Sequence, residues 1–167
     1  MVVMSTSSSK LPKLIKQLKH DYPTFSFQIG VSERWSPRSA TITFNPVQST
    51  RALAYGVLHE LAHALLQHHT YKTDFELVKL EAKAWQLAAE IGKKYGFKIS
   101  GDHIQNCLDT YRDWLHGRSN CPRCGLQGLQ KNSYSYKCPN CQNVWFVTSG
   151  HLARPYRRRQ ATKKHPA

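Results

Sequence analysis

The order of hydrophobic and polar residues predicts a mixture of helices and strands. In four segments apolar residues recur every three or four positions, which is the spacing of a helix with one buried face. These segments are Leu11–Leu18, Thr50 to about His68, Asp74 to about Tyr95, and Gly101–Leu115. In Thr24–Ile29 and Ala40–Asn45 polar and apolar residues alternate, which predicts two strands joined by the polar segment Ser32–Ser39.

Residues at the ends of the helical segments also indicate where the helices begin and end. Ser49 or Thr50 suits the N-cap of the second helix, and Asp74 that of the third, because their side chains accept hydrogen bonds from the first helical amides. Gly96 suits the end of the third helix, since glycine adopts the left-handed conformation without strain. In the second helix the residues expected to face the core are Ala54, Leu58, Leu61 and Leu65.

The composition is that of a globular chain. With 167 residues, 40% of them hydrophobic and 20% charged, the chain can form one domain with a core and a small appendage. It contains no run of about 18 apolar residues, so we expect no transmembrane helix. The first ten residues lack the layout of a secretory signal, which favours a cytoplasmic location.

Charge is distributed unevenly along the chain. The formal net charge is +14, and all ten acidic residues lie at or before Asp113. The C-terminal part therefore carries lysine and arginine without carboxylates, including the runs Arg157–Arg159 and Lys163–Lys164. Such a segment is attracted to phosphates or to another acidic surface, so DNA or another polyanion is a predicted partner.

The most informative motif is His59-Glu60-Leu61-Ala62-His63. Histidines four positions apart on a helix project about 40° from each other and can bind one Zn²⁺ together. Glu60 would lie beside the metal without binding it, where a carboxylate can take a proton from the zinc-bound water that attacks a peptide carbonyl. We therefore predict a catalytic zinc site with Glu60 as the general base.

A hydrolytic zinc needs a third protein ligand. The candidates downstream of the motif are Glu76, Glu81, Glu90, His68, His69 and His103. Glu81 is preferred because Ala84 and Ala88 beside it would let its helix approach the metal helix closely. Glu76 is the second choice, with a solvated first-turn carboxylate as its alternative role. His68 and His69 are too close in sequence to fold back easily and are expected to form a polar helix end.

Four of the five cysteines form two pairs, Cys121-Pro-Arg-Cys124 and Cys138-Pro-Asn-Cys141, separated by thirteen residues. This spacing brings four thiolates around one tetrahedral zinc and leaves no position for water, so we predict a second, structural zinc. The fifth cysteine, Cys107, is expected to be a buried thiol. Near the pairs, Tyr134 and Tyr136 either pack the small module or stack on nucleobases.

The metal-binding segment resembles two families of compact zinc peptidases. Glu81-x-x-Ala84-x-x-Leu87-Ala88-Ala89-Glu90 after the His59 motif resembles the ImmA/IrrE type, which implies that Glu81 is the third ligand. The order of Ile42–Pro46, the metal helix and a Cys-x-x-Cys ribbon is similar to the SprT-like proteins. Those have a histidine-containing segment where this chain has Glu81 to Trp85, so the third histidine of that family is missing here.

The resemblance implies an α+β, zincin-like metallopeptidase domain followed by a zinc ribbon. The expected divisions are a disordered segment 1–9, the peptidase domain 10–117, the ribbon 118–150 and a basic tail 151–167. In both families the strand before the metal helix borders the active site, which suggests that Ala40–Asn45 pairs with an extended substrate; a routine edge strand is the alternative. SprT-like proteins are associated with DNA, which favours the same partner here.

These patterns together predict a zinc endopeptidase whose protein or peptide substrates are associated with DNA. One alternative is a non-proteolytic nucleic-acid-binding regulator with structural zinc sites. Another is a dedicated repressor-cleaving protease of a mobile element. Four residues could donate the hydrogen bond that stabilises the oxyanion, and the sequence does not choose between them: His103, Tyr111, Arg112 and His116.

Overall fold

The structure is a computed structural model that describes residues 10–47, 50–148 and 158–159, and its fold is of the α+β type. The helices are α1 (Lys10–Asp21), α2 (Thr50–Leu65), α3 (Asp74–Lys94) and α4 (Gly101–Ser119). The strands are β1 (Ser26–Ile29), β2 (Arg34–Ser36), β3 (Thr41–Phe44), β4 (Leu129–Asn132), β5 (Ser135–Lys137), β6 (Val144–Phe146) and β7 (Arg158–Arg159). Among the described residues, no helix is both long and apolar enough to cross a membrane.

All four predicted helices and both predicted strands are confirmed, with ends that shift by a few residues. The predicted connection Ser32–Ser39 additionally contains β2. This strand has one apolar residue, Trp35, so it carries no alternation to reveal it. The predicted tail and N-terminal segment lie outside the described residues, apart from the backbone of β7.

The chain divides into two compact units. The first consists of the described residues up to His69 together with Leu80–Ile104, and the second of Thr70–Lys79 together with the described residues from Gln105 onward. Both α3 and α4 contribute residues to each unit. The predicted boundary at residue 117 falls inside α4.

The sheet of the first unit has the order β1-β3-β2. Strand β3 pairs in parallel with β1 and antiparallel with β2, so that Ile42 faces Phe27 on one side and Trp35 on the other. Because both edges of β3 are occupied, the expectation that Ala40–Asn45 pairs with a substrate strand is wrong. Among the described residues, the outer edge of β2 has no neighbouring strand.

Helix α2 supplies most of the core of the first unit. Leu53, Val57, Leu58 and Leu61 are fully buried, whereas Leu65, in the last turn, is 38% exposed. The segment before β2 approaches α2 closely at Gly56, where an added Cβ would lie 2.7 Å from the Cγ of Glu33. A larger residue at position 56 would have to displace the Glu33 side chain, so glycine leaves room for the segment that leads into β2 beside the metal-binding motif.

Two helix ends in the first unit share one backbone geometry. At the end of α2 the amides of Gln67 and His68 donate to the carbonyls of Ala64 and His63, at 3.1 and 3.0 Å, and Gln67 has φ 54°. At the end of α3 the left-handed residue is Gly96, with φ 76°, as predicted. Both are Schellman motifs, in which a left-handed residue reverses the chain sharply.

The sheet of the second unit has the order β4-β5-β6-β7. Cys121, Tyr136, Cys138, Trp145 and Val147 form its core, which is small. A second cluster contains Leu77, Trp114 and Leu115.

A buried arginine connects the parts of the second unit. Arg118 is 0% exposed, and its guanidinium donates hydrogen bonds to Asp74, to the Tyr136 hydroxyl and to the Thr148 carbonyl. The Tyr136 hydroxyl donates to the other carboxylate oxygen of Asp74. The guanidinium also lies 4.3 Å from the centre of the Trp114 ring. A buried charge of this kind needs such complete pairing, because its desolvation is costly.

The carboxylate of Asp74 is therefore not the predicted cap of α3. Thr73 is the cap, since its hydroxyl oxygen accepts from the Glu76 amide at 3.1 Å. The Glu76 carboxylate in turn accepts from the Lys72 amide at 2.7 Å. The cap lies one residue before the predicted position, because both Thr73 and Asp74 suit it.

Candidate metal sites

Three side chains of the first unit converge on one point. The Nε2 atom of His59 lies 3.0 Å from Oε2 of Glu81 and 3.1 Å from Nε2 of His63. The third separation, from His63 Nε2 to Glu81 Oε2, is 3.5 Å. Donor atoms bound to a tetrahedral zinc at about 2.0 to 2.1 Å lie about 3.3 Å from one another. The three side chains, which we call the His-Glu triad, therefore fit a metal ion.

The elements that carry the triad explain its geometry. His59 and His63 lie one turn apart on α2, and Glu81 comes from α3. Ala84 and Ala88 of α3, the small residues that follow Glu81, are both fully buried. Among the predicted candidates for the third position, Glu81 alone lies with the two histidines.

Burial and charge act in opposite directions on the triad. Burial alone would raise the pKa of Glu81, but hydrogen bonds to His59 and His63 lower that pKa to about 2. Burial alone would lower the pKa of His63, but the hydrogen bond and the charge of Glu81 outweigh it and raise this pKa. Glu81 is thus an anion near neutral pH, and it favours positive charge at the centre of the triad.

Trp85 stacks on His59, with ring centres 4.1 Å apart and an angle of 21° between the planes. Sequence analysis did not single out this residue. Trp85 lies one turn after Glu81 on α3, so the carboxylate and the stacked ring contact the same histidine. The stack fixes the orientation of the His59 ring, whose buried Nδ1 has no hydrogen-bond partner among the described residues.

His68 contacts the triad from the other side. Its Nδ1 atom lies 2.9 Å from Nδ1 of His63, the ring nitrogen opposite the one that faces the triad. The expectation that His68 is only a polar helix end is wrong, because the left-handed Gln67 folds the chain back within three residues. Burial, and then the charge of His63, lower the pKa of His68, which favours its neutral form. A neutral His68 ring can accept a hydrogen bond from the Nδ1–H group of His63.

Glu60 lies between the two histidines in sequence but outside the triad. Its Oε2 atom accepts a hydrogen bond of 2.6 Å from the backbone amide of Trp35 in β2. Trp35 lies opposite Ile42 of β3, but its amide donates to Glu60 instead. The amide therefore points away from β3, toward the outer edge of the sheet. The carboxylate is thus held in place by the backbone of a strand.

The other residues considered from sequence have different surroundings. The ring of His103 lies against the rings of Trp85 and Tyr55, with centres 5.4 and 4.9 Å away. In the second unit the Arg112 guanidinium pairs with Asp109 at 2.6 Å, and His116 lies 3.3 Å from the Gln127 side chain. Tyr111 packs beside the cluster of Leu77 and Trp114.

The four paired cysteines of the second unit form another cluster. Sulfur atoms lie 3.5 Å apart in the pairs Cys121–Cys141 and Cys124–Cys138, and all four sulfurs lie within 4.8 Å of one another. Four sulfurs at about 2.3 Å from a tetrahedral zinc are separated by about 3.8 Å. The cluster therefore fits a metal ion that is enclosed by protein ligands.

The two cysteine turns have the same backbone geometry. The amide of Gly125 donates to the Cys121 carbonyl, and that of Gln142 donates to the Cys138 carbonyl, at 2.9 and 3.2 Å. Both donor residues are left-handed, with φ 76° and 58°. Backbone amides also point at sulfur, from Arg123 to Cys121 at 3.4 Å. Such amides stabilise thiolates, which are the form that binds a metal.

The thiol pKa values in this cluster diverge. For Cys121, burial is outweighed by backbone amides, which lower the pKa to about 6. For Cys141, one backbone amide acts downward, but burial and the neighbouring thiols raise the pKa to about 11. Adjacent thiolates disfavour one another, so full deprotonation of all four requires a cation.

Two expectations for the second unit are refined by the structure. Tyr136 is 1% exposed and therefore packs the small core, whereas Tyr134 is 54% exposed and stacks on Phe146. Cys107 is only half-buried and lies outside the cluster.

Comparisons with models of protein families, with curated proteins and with solved structures found no match. The resemblance to compact zinc peptidases thus depends on the residues of this chain alone and stays a prediction.

Proposed function

We propose that the protein is a zinc-dependent endopeptidase with a zincin-like domain, in which the His-Glu triad holds the metal. The observation that carries this proposal is the position of Glu60. Three donors converge on one point, and a second acidic side chain, that of Glu60 next to His59, lies outside this group and is bonded to the Trp35 amide. A metal site with three protein ligands and a separate carboxylate is typical of hydrolytic zinc enzymes, whereas a structural site uses all its ligands.

The residues have distinct roles in this proposal. When bound, zinc polarises the peptide carbonyl and lowers the pKa of a water molecule. His59, His63 and Glu81 hold the ion, and His68 and Trp85 orient the two rings. Glu60 takes a proton from the attacking water. The hydrogen bond from the Trp35 amide to Oε2 holds this carboxylate in a fixed orientation.

The substrate is proposed to bind along β2 rather than β3. The outer edge of β2 reaches Glu60 through the Trp35 amide, so a peptide added there would run beside the triad. Because β2 is three residues long and its Trp35 amide already bonds to Glu60, backbone hydrogen bonds would align the peptide, and contacts beyond the strand would supply most of its affinity.

We further propose that the four cysteines bind a structural zinc and that their module is a zinc ribbon. The matching backbone of the two turns supports this, as does the absence of a described carboxylate in the cluster. Tyr134 is exposed, as are Lys131 and Lys137, and no acidic residue follows Asp113. These features favour a polyanion such as DNA as the partner of this module, and DNA-associated proteins as substrates.

The decisive experiment replaces Glu60 by glutamine in the full chain. Glu60→Gln should lower the cleavage of an unfolded protein substrate by a factor of about 10² to 10⁴, because the general base is lost. The zinc content should remain at about two per chain, since Glu60 is not a ligand. Glu90→Gln, which changes an exposed carboxylate of α3, is the matched control and should retain activity.

Two results would contradict the proposal. One is cleavage by Glu60→Gln at the wild-type rate. The other is a wild-type protein that holds two zinc ions and cleaves no protein or peptide, which would favour the nucleic-acid-binding regulator instead.

A further inference from the structure

A polar cavity of about 490 Å³ lies in the first unit, among the starts of three helices. Three basic side chains line it: Lys10, Arg51 and Lys98. All three are exposed to solvent, and no ion pair among the described residues includes any of them. The cavity lining contains no carboxylate. Three cations around one concave surface repel one another, and a concave surface concentrates their field.

Each of the three helices begins at this cavity. Lys10 is the first residue of α1, Arg51 is the second of α2, and Ser100 directly precedes α4. The first amides of a helix have no partner within it, and the helix dipole makes this end positive. The Ser100 hydroxyl accepts one of these amides, from His103 at 3.2 Å. The helix starts therefore add to the positive potential that the side chains create.

The chain forms the wall of the cavity through a sharp turn. Left-handed Gly96 ends α3, and the Phe97 amide donates to the Gly92 carbonyl at 2.8 Å. The hydroxyl of Tyr55 in α2 then donates to the Lys98 carbonyl at 2.6 Å, which anchors the residue that carries the third cation. The cavity wall is thus built from ordered backbone and not from side chains alone.

A second groove shares Lys10 with the cavity. It has a volume of about 270 Å³ and is lined also by Lys13 and Lys94. Lys94 is paired with Asp21 at 2.8 Å, whereas Lys13 has no ion pair among the described residues. Basic side chains without an ion pair among the described residues therefore continue from the cavity to Lys13.

We propose that this cavity binds a ligand that carries several phosphate charges. Phosphate oxygens accept hydrogen bonds from lysine, arginine and helix-start amides, and three positive charges favour a ligand with more than one negative charge over a single carboxylate. The charges can come from successive phosphodiesters of a nucleic-acid backbone, each of them a monoanion, or from a free phosphate compound such as pyrophosphate. This site does not involve the metal, so it is independent of the proposed peptidase activity.

The test measures binding of two probes to the full chain, pyrophosphate and a short labelled DNA oligonucleotide, over a range of salt concentrations. The cavity variant carries Lys10→Gln, Arg51→Gln and Lys98→Gln. Its affinity for at least one probe should fall about tenfold or more, because three phosphate contacts are lost. The slope of log affinity against log salt should decrease by about 2 to 3 for the oligonucleotide if a nucleic-acid backbone is the ligand. Loss for pyrophosphate alone would identify a free phosphate compound.

A matched control carries Lys16→Gln, Lys19→Gln and Lys83→Gln, which remove the same charge from exposed positions of the first unit outside the cavity. It should change either affinity by less than about threefold, as expected of long-range charge alone at moderate salt. A second variant that exchanges lysine and arginine at the cavity positions should keep binding, because it alters the same three side chains and retains their positive charge. The proposal is overturned if the cavity variant loses no more affinity than the control for both probes.

Discussion

The two candidate metal sites take their donor atoms from different kinds of structure. The His-Glu triad uses side chains of two helices in a unit whose core includes Leu53, Val57, Leu58 and Leu61. The cysteine cluster uses two short turns in a unit whose sheet has a core of five residues, two of them cysteines themselves. The first unit has a hydrophobic core of its own, and this core holds the helices that carry the His-Glu triad. In the second unit two of the cysteines are themselves part of the core.

A bound metal is therefore expected to have a different effect at each site. Where helices already hold the donors, ion binding adds chemistry to a structure that exists without it. Where the donors lie in turns, ion binding supplies folding free energy, because a small core stabilises little on its own. Glu60 beside the triad, and the absence of any described carboxylate in the cysteine cluster, agree with this division.

The largest expected effect comes from removing one cysteine ligand. Cys138→Ser should lower the zinc content from about two to about one per chain and unfold β4 to β6, since structural zinc contributes on the order of 10 kcal/mol. Glu81→Ala should also lose about one zinc but leave the helices of the first unit folded. Zinc analysis together with amide hydrogen exchange measures both effects. Cys107→Ser, outside the cluster, should keep both ions.

If β5 and β6 kept their exchange protection in Cys138→Ser, the second unit would be stable without metal. The contrast between the two sites would then be lost.

A smaller effect is expected from the buried arginine. Arg118→Met should lower the free energy of unfolding of the second unit by about 3 to 5 kcal/mol, because the Asp74 carboxylate keeps its neutral hydrogen-bond donors but loses its cationic partner. Denaturant unfolding followed at Trp145, which packs on Tyr136, measures this. Arg123→Met, at an exposed position, is the control and should change stability by less than about 0.5 kcal/mol.

Adding Asp74→Asn to Arg118→Met should recover part of the lost stability, since the unpaired charge is then removed. Equal stability of the single and double variants would show that packing on Trp114, and not charge pairing, is the main contribution of Arg118.

The smallest expected effect concerns His68. His68→Ala should weaken metal binding at the triad by a factor of about 10 to 100, because the ring that orients His63 is lost. Competition with a chelator of known affinity measures the change. His69→Ala alters the next residue, which is exposed, and should bind metal as the wild type does. Equal affinities in the two variants would rule out a role for His68 in positioning.

Sequence reasoning identified the elements whose residues follow a simple period. The apolar spacing in α2 and α3 predicted both helices, and the histidines on α2 needed no tertiary information. Glu81 was preferred for its small neighbours and for its position in the ImmA/IrrE-type pattern, and it is the acid that lies with the histidines. The four cysteines were identified by spacing alone.

The contacts that were missed depend on backbone geometry or on long separations in sequence. The Trp35 amide reaches Glu60 whatever side chain residue 35 carries, so no pattern records it. His68 returns to His63 because Gln67 is left-handed, a conformation that sequence signals only when glycine is present. Arg118 and Asp74 are 44 positions apart, and a single sequence does not indicate such a pair.

The short length of β2 has a consequence for self-association. An open sheet edge can pair with another copy of the same chain as readily as with a peptide, and long apolar edges lead to aggregation. Here the edge is three residues long, begins with an exposed arginine and has one amide already bonded to Glu60. These features disfavour intermolecular sheet extension, and they also mean that any peptide held at this edge must obtain most of its affinity from contacts beyond the strand itself.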